Sequence, residues 1–283
     1  MSKKAVVIGS GIGGIAAALR LRKKGLQVTV LEKNSYPGGK LNEFRKNGFR
    51  FDMGPSLFTL PHLVDELFEL YDKKPEDHFK YVPLKTITRY FFSDGTSMKA
   101  PVNTDDFIKE LEEKLNTPKS ESIRFFKKSQ ELYEMTHHVF LERSLHKANT
   151  YLRKDTLKAA LKLYKLEFYK SMHRANAENF SDDRAIQLFD RFATYNGSNP
   201  YKAPATLNII PHLEHSIGAF FPEKGMYSII EALYALALDQ GIQFNFNEEV
   251  KEIVIKNNKA TAVKSSTTSY YTDYVISNSD VIF

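Results

Sequence analysis

Gly9-x-Gly11-x-x-Gly14 stands directly after a short apolar run, Ala5 to Ile8, and an acid, Glu32, closes the next apolar segment around Val28, Val30 and Leu31. Together these residues can hold a dinucleotide by its phosphates and one ribose. Gly9 permits a tight turn, Gly11 lets backbone approach a pyrophosphate, and Gly14 lets a following helix pack closely on the strand. The free N–H groups at the start of that helix then face the phosphates. Glu32 is placed to accept hydrogen bonds from ribose hydroxyls. Ser10, Ile12 and Gly13 fill the loop and Lys33 follows the acid, so they join the candidate cofactor-binding residues.

Particular elements must carry these groups. Ala5–Ile8 reads as a strand covered on both faces. Ile15 to Arg22 continues a helix that Gly25 ends, and Val28, Val30 and Leu31 form a second strand. A glycine pattern alone is weak evidence; here strand, turn, helix and acid are in register.

Other chemistries find little support. The 283 residues contain no Cys, which excludes disulfides, thiol catalysis and Cys-ligated metal. His137 and His138 are adjacent, so a helix would turn them to different sides, and no metal site is expected. His212 and His215 read either as polar core residues or as neighbours of a site. No run of about 18 apolar residues occurs, so no transmembrane helix is expected. "AVVIGSGIGG" is too short and glycine-rich for a secretory signal. The expected home is the cytoplasm. Net charge is +6, concentrated in residues 153–174, where seven Lys/Arg face two acids. Leu157, Leu161, Tyr164, Phe168 and Met172 share one face there, reading as a basic amphipathic helix that covers core or lies on a membrane surface. No nucleic-acid motif accompanies the charge.

The segment after Glu32, "EKNSYPGGKLNEF", resembles the flavoprotein family of amine oxidases and their relatives. In that family a Gly-Gly and a basic residue hold the pyrophosphate and flavin side of an extended FAD. The family usually has Arg where this chain has Lys40, a charge without a bidentate fork. The longer stretch "PGGKLNEFRKNGFRFDMGPSLFTLP" is similar to the bacterial carotenoid (phytoene-type) desaturases. Residues 191–233, with a turn from Pro222 to Met226, and "NEEVKEIVIKNNKATAV" resemble two further blocks of those enzymes. The chain resembles the first part of such an enzyme.

The resemblance implies FAD as cofactor and adds Gly38, Gly39, Lys40 and Leu41 on its pyrophosphate side. Gly54, Pro55 and Ser56 would let backbone approach the flavin, with "GFRFDMGPSLFTLPH" as the wall beside the isoalloxazine, and Val250's backbone would meet the adenine. It implies desaturation of a lipophilic polyene, phytoene or a later carotene or hydroxycarotene, by hydride transfer to flavin N5 and proton loss. It also implies peripheral association with the inner membrane. It names no catalytic residue and no oligomeric state. Rival readings are another FAD oxidoreductase of the amine or protoporphyrinogen oxidase type, or a non-catalytic truncated FAD-binding, membrane-surface module.

The expected architecture is mixed α/β (α+β): a Rossmann-like FAD-binding domain from residues 1–75 and 216–283, with an inserted sheet-plus-helical substrate domain at 76–215. Within the insertion, "TITRYFFSD" and "TSMKAPV" read as a hairpin turning at Asp94-Gly95. Thr104 starts a helix through Leu115, capped as Thr-Asp-Asp. Ser120 to Ala177 reads as helical, with a break near Leu145 to Tyr151, and Ser181-Asp182-Asp183 restarts a helix through Phe192.

Overall fold

The apolar run after Lys4 becomes an inner strand of a parallel sheet. The computed structural model describes residues 2–140 and 167–280. The chain divides into two compact units, Met1–Val82 with Phe220–Phe283, and Pro83–Ala219. The first unit opens with β1 (Lys4–Ile8), α1 (Ile12–Lys23) and β2 (Gln27–Leu31), then a hairpin of β3 (Glu43–Lys46) and β4 (Phe49–Asp52), and α2 (His62–Glu69). It exits through β5 (Tyr81–Pro83).

The second unit contains the hairpin of β6 (Thr86–Phe91) and β7 (Ser97–Pro101), with Gly95 at φ 85° in its turn. Helices follow: α3 (Thr104–Leu115), α4 (Lys119–Phe140), α5 (Met172–Asn179) and α6 (Asp183–Asp190). The chain re-enters the first unit through β8 (Phe220–Pro222), which pairs with β5. It then forms α7 (Ser228–Asp239) and β9 (Gln243–Asn245). An antiparallel set of β10 (Val250–Lys256), β11 (Lys259–Ser265) and β12 (Ser269–Tyr271) follows, and β13 (Tyr274–Ser277) closes the described chain.

The parallel sheet runs β13-β1-β2-β9. In register, Ile8 stands beside Leu31 on one side and Ser277 on the other. Val7, Ile15, Ala18, Leu19, Val30 and Leu233 are buried together, so α1 and α7 share one core with the sheet. This burial of continuous apolar strands is what a parallel sheet requires. A Cβ on Gly14 would lie 2.1 Å from the Gly9 carbonyl oxygen, so only glycine allows α1 this close to the turn after β1.

The second unit has its own core, built on phenylalanines. Phe189 stacks on Phe180 at 4.5 Å and 2° and meets Phe125 at 4.2 Å. Two expectations are corrected here. The cap of α3 is Asn103, whose side chain accepts the Asp106 N–H at 3.1 Å, while the Thr104 hydroxyl donates to the His215 carbonyl at 2.8 Å. Asn103 wins because its side-chain carbonyl spans the reach to a third-residue N–H that a cap needs. The basic helix cannot run unbroken to residue 174. Phe168 and Tyr169 lie in an exposed turn, and Ser171 caps a new helix beginning at the buried Met172. Residues 153–166 of that segment, and the break near 145–151, lie outside the described residues.

Phe189→Ala is expected to lower the stability of the second unit by about 3–5 kcal/mol, because it removes a fully buried ring from the middle of the aromatic cluster. Phe91→Ala, at a residue 79 % exposed, should stay within about 0.5 kcal/mol. Urea denaturation of the two variants reads the contrast.

Candidate functional site

β1 lies between β2 and β13, and at its carboxyl end the chain departs to one side toward α1 and returns on the other. Crevices at such switch points receive ligands in doubly wound sheets. A cleft of about 910 Å³ opens there, lined by residues 8–13, 31–34, 38–40, 248–250 and 278–280, with Ser10 excepted. That volume suits a dinucleotide-sized ligand. α1 starts on Gly11 with no side-chain capping bond and no acid in its first turn. Its first N–H groups thus face the cleft without a side-chain acceptor, as an anion site needs. Gly38 and Gly39 lie against this loop: the Gly38 N–H donates to the Ser10 carbonyl at 2.9 Å, and a Cβ on Gly39 would sit 3.4 Å from the Gly11 Cα.

Glu32 is buried at the floor of the cleft. Its Oε2 accepts from the Ser10 N–H at 2.8 Å and the Ser10 hydroxyl at 2.7 Å. Its Oε1 accepts from the Asn34 N–H and side-chain amide, both at 2.9 Å. A carboxylate has about four lone-pair sites, and all are engaged. A ribose hydroxyl would therefore take the place of the Ser10 hydroxyl or the Asn34 amide, both able to rotate away, while the two backbone bonds stay.

The charges sort along the cleft. The Ser265 and Thr267 hydroxyls hold the Glu248 carboxyl below the usual range. Hydrogen bonding from Lys251, helped by its charge, does the same for Glu249. This anionic rim repels phosphate and leaves the helix end as the favourable place for it. Lys40 forms an ion pair with Asp280 at 2.7 Å, at a side chain 88 % exposed, so the contact bridges the mouth and is weakened by water.

Gly9, Gly11, Ile12, Gly13, Glu32, Lys33, Gly38, Gly39, Lys40 and Val250 all line the cleft. Ser10, Gly14 and Leu41 lie behind the lining. Ser10 anchors Glu32, Gly14 seats α1, and Leu41 belongs to the core. Gly54, Pro55 and Ser56 lie off the cleft. The close approach at Gly54 is to backbone, since a Cβ there would stand 2.0 Å from the Lys40 carbonyl oxygen. Asn278 was not anticipated as a site residue. Its side-chain amide reaches over the glycine loop, 2.7 Å from where a Gly13 Cβ would be and 3.1 Å from a Gly11 Cβ. Its local sequence reads only as a loop after a strand; the parallel pairing of β13 with β1 carries it to the cleft.

His215 belongs to the second unit's core. Its ring stacks on Phe107 at 4.2 Å, and Nδ1 lies 3.0 Å from the Pro101 carbonyl oxygen, which fixes the proton on Nδ1. Burial pushes its pKa down to about 4, against the pull of that carbonyl and with Arg191 nearby. His212 is half-buried beside Tyr133, and burial pushes its pKa down too. Among the described residues no group of His, Asp or Glu could hold a metal ion.

The geometry defines a dinucleotide-binding unit of Rossmann type. A profile of the flavin containing amine oxidoreductase family matches residues 12–281, and the chain belongs to that family. FAD is its cofactor, and the glycine cradle, the uncapped helix end and the acid at the ribose position fit the ADP half of FAD. The chain is 46 % identical over 279 residues to a 1-hydroxycarotenoid 3,4-desaturase of Flavobacterium sp. (strain P99-3), covering 99 % of this chain and 57 % of that protein. It is 34 % identical over 256 residues to a 4,4'-diapophytoene desaturase of Staphylococcus haemolyticus, covering 88 % and 49 %. A 4,4'-diapolycopene oxygenase of Methylomonas sp. is 30 % identical over 289 residues, covering 99 % and 56 %. The chain thus spans about half the length of the curated relatives it matches. Among solved structures, an oxidoreductase from Methanosarcina mazei shares the fold with a TM-score of 0.62 at 21 % identity, covering 97 % of this chain and 58 % of that one.

Two predictions follow from the site and its surroundings. Gly11 has φ −64°, open to any residue, and its nearest neighbour is a movable amide. Gly11→Val should therefore keep the fold while weakening FAD binding at least about tenfold, ~1.4 kcal/mol, measured by flavin fluorescence titration. The second concerns acid stability. The depressed pKa means that protons favour the unfolded chain, so the His215 contribution is present above pH 6.5 and lost as pH falls toward 4. The loss is about 3 kcal/mol. Burial raises the Glu214 carboxyl and so acts in the opposite direction. Comparing wild type with His215→Phe across that range isolates the histidine: the wild-type unfolding free energy should fall relative to the variant's as the buffer is acidified.

Proposed function

We propose that this chain is the FAD-binding and substrate-facing part of a carotenoid desaturase, acting on a carotene or hydroxylated carotene. The observation that carries the reading is the 46 % identity, over nearly the whole chain, to the 1-hydroxycarotenoid 3,4-desaturase. The cleft supports it because the glycine loop, the start of α1, Glu32 and Gly38-Gly39 line it together. Bound there, FAD supplies a two-electron acceptor for hydride leaving a C–H bond beside conjugated double bonds.

The chain's own residues have simpler tasks. The α1 N-terminus and the Gly38-Gly39 backbone would hold the pyrophosphate, with Asn278 reaching over the loop from the far side. Glu32 would orient the ribose through its exchangeable Ser10 and Asn34 bonds. Lys40 would either add charge at the mouth or stay paired with Asp280. A substrate this apolar partitions into lipid, so contact with a membrane surface is part of the proposal; no helix among the described residues is long and apolar enough to cross one.

Oxygenases stand among the relatives, so the product decides between two reactions. The chain is expressed together with the part of the Flavobacterium desaturase that it does not span, in a host that accumulates carotenes or 1-hydroxycarotenes, and the pigments are separated by mass. Desaturation removes two hydrogens per new double bond and reddens the pigment. A gain of oxygen would assign the oxygenase reaction, and unchanged pigment with flavin retained would sink the carotenoid reading while leaving the cofactor in place.

A further inference from the structure

The β3–β4 hairpin has two faces of opposite character. Strand pairing sets Glu43 across from Asp52 and Arg45 across from Arg50, and alternates with Phe44 across from Phe51 and Lys46 across from Phe49. Successive side chains in a strand point to opposite faces, so ions gather on one side and rings on the other. The ionic side is fastened down. Arg50 Nη1 lies 2.7 Å from Asp52 and 3.1 Å from Glu43. Asp52 Oδ1 accepts the Tyr227 N–H at 3.4 Å. The Arg50 guanidinium lies so close over Gly225 that a Cβ there would sit 1.8 Å from Nη2.

With one face held, the other is turned outward. Phe44 is 44 % exposed, Phe49 67 %, Phe51 46 % and Met53 58 %. The Phe44 and Phe51 rings stack at 4.8 Å and 14°, forming a flat apolar surface. Four large apolar side chains presented together on one rigid hairpin mark an interaction surface. The nearby chain leaves a second opportunity. Among the described residues β13 is an edge strand of the parallel sheet, and the loop after it reaches Asp280, which pairs with Lys40 just ahead of the hairpin. An open edge is a template for pairing.

We propose that this aromatic face docks polypeptide: the part of the relatives' length that this chain does not span, as a continuation or as a separate chain. Ninety-nine per cent of this chain matches the Flavobacterium desaturase, yet the match covers 57 % of that protein. That protein is therefore far longer than this chain, and an exposed apolar face is where its unmatched part can pack. A lipid surface fits less well. Lys46 is the only cation on the aromatic side of the strand pairs, whereas surface binding to anionic lipid draws on several. Flat stacked rings suit packing against protein side chains. The proposal rests on the family assignment and not on the carotenoid reading.

The test coproduces this 283-residue chain with a tagged polypeptide corresponding to the unmatched part of the Flavobacterium desaturase. The two should copurify. In the complex, peroxide oxidation of Met53 should slow at least about tenfold, with the buried Met98, Met172 and Met226 as internal references. A Phe49→Ser, Phe51→Ser double variant should weaken association at least about tenfold. Phe91→Ser, in the other unit and 79 % exposed, should leave it unchanged, and circular dichroism checks that both variants are folded. Failure to copurify overturns the proposal, as does association that survives the double variant. Self-association of the chain that depends on Phe49 and Phe51 would overturn it by assigning the face to a second copy. Binding to equimolar phosphatidylcholine–phosphatidylglycerol vesicles with the same dependence would overturn it in favour of a lipid surface. Loss of the carotenoid reaction by itself leaves the docking result intact.

Discussion

The approach of α1 to the turn after β1 governs the cofactor end of this molecule. Gly14 stands so close to the Gly9 carbonyl that a single methyl would collide with it. That approach sets the helix axis, and the axis aims the first-turn N–H groups at the carboxyl edge of the sheet. Without it, the anion site would point into solvent or into the core. The uncapped start on Gly11 belongs to the same constraint, because a capping side chain would occupy the place of a phosphate oxygen.

Around that geometry the polar groups are arranged to be stable before a ligand arrives. Glu32 is buried, and an unpaired buried carboxylate would cost several kcal/mol. Four short hydrogen bonds from Ser10 and Asn34 remove most of that penalty. Two of them come from side chains and can be exchanged for a ligand's hydroxyl at little loss. Ser10 thus works behind the lining, as a spring for the acid in front of it. The acids at the β10 end and the helix end opposite create a field along the cleft that a molecule with one anionic and one neutral half can match.

Much of this was legible in the chain. β1, β2 and α1 fall where apolar runs and glycines place them. α3 spans Thr104–Leu115 as its pattern indicates. The cap at Asn103 was misread because Thr and Asn are both good caps and only the reach to Asp106 distinguishes them. Residues 48–62 read as the wall beside the isoalloxazine; alternation leaves Phe49 and Phe51 of that stretch exposed on one face of the β3–β4 hairpin. Phe58, in the same stretch, is buried because it bridges to Phe220 on the returning chain.

The local sequence by itself determined the glycine loop, the acid after β2 and the family, because turn conformation, helix approach and strand burial are set by neighbours within a few dozen residues. Only the tertiary structure decided that Asn278 and Asp280 complete the far rim, that Ser10 and Asn34 share Glu32, and that Gly54 packs against the Lys40 backbone. The Asn278 and Asp280 contacts join positions far apart in sequence through parallel pairing of β13 with β1. No local pattern encodes a pairing whose register depends on burying both strands in one sheet.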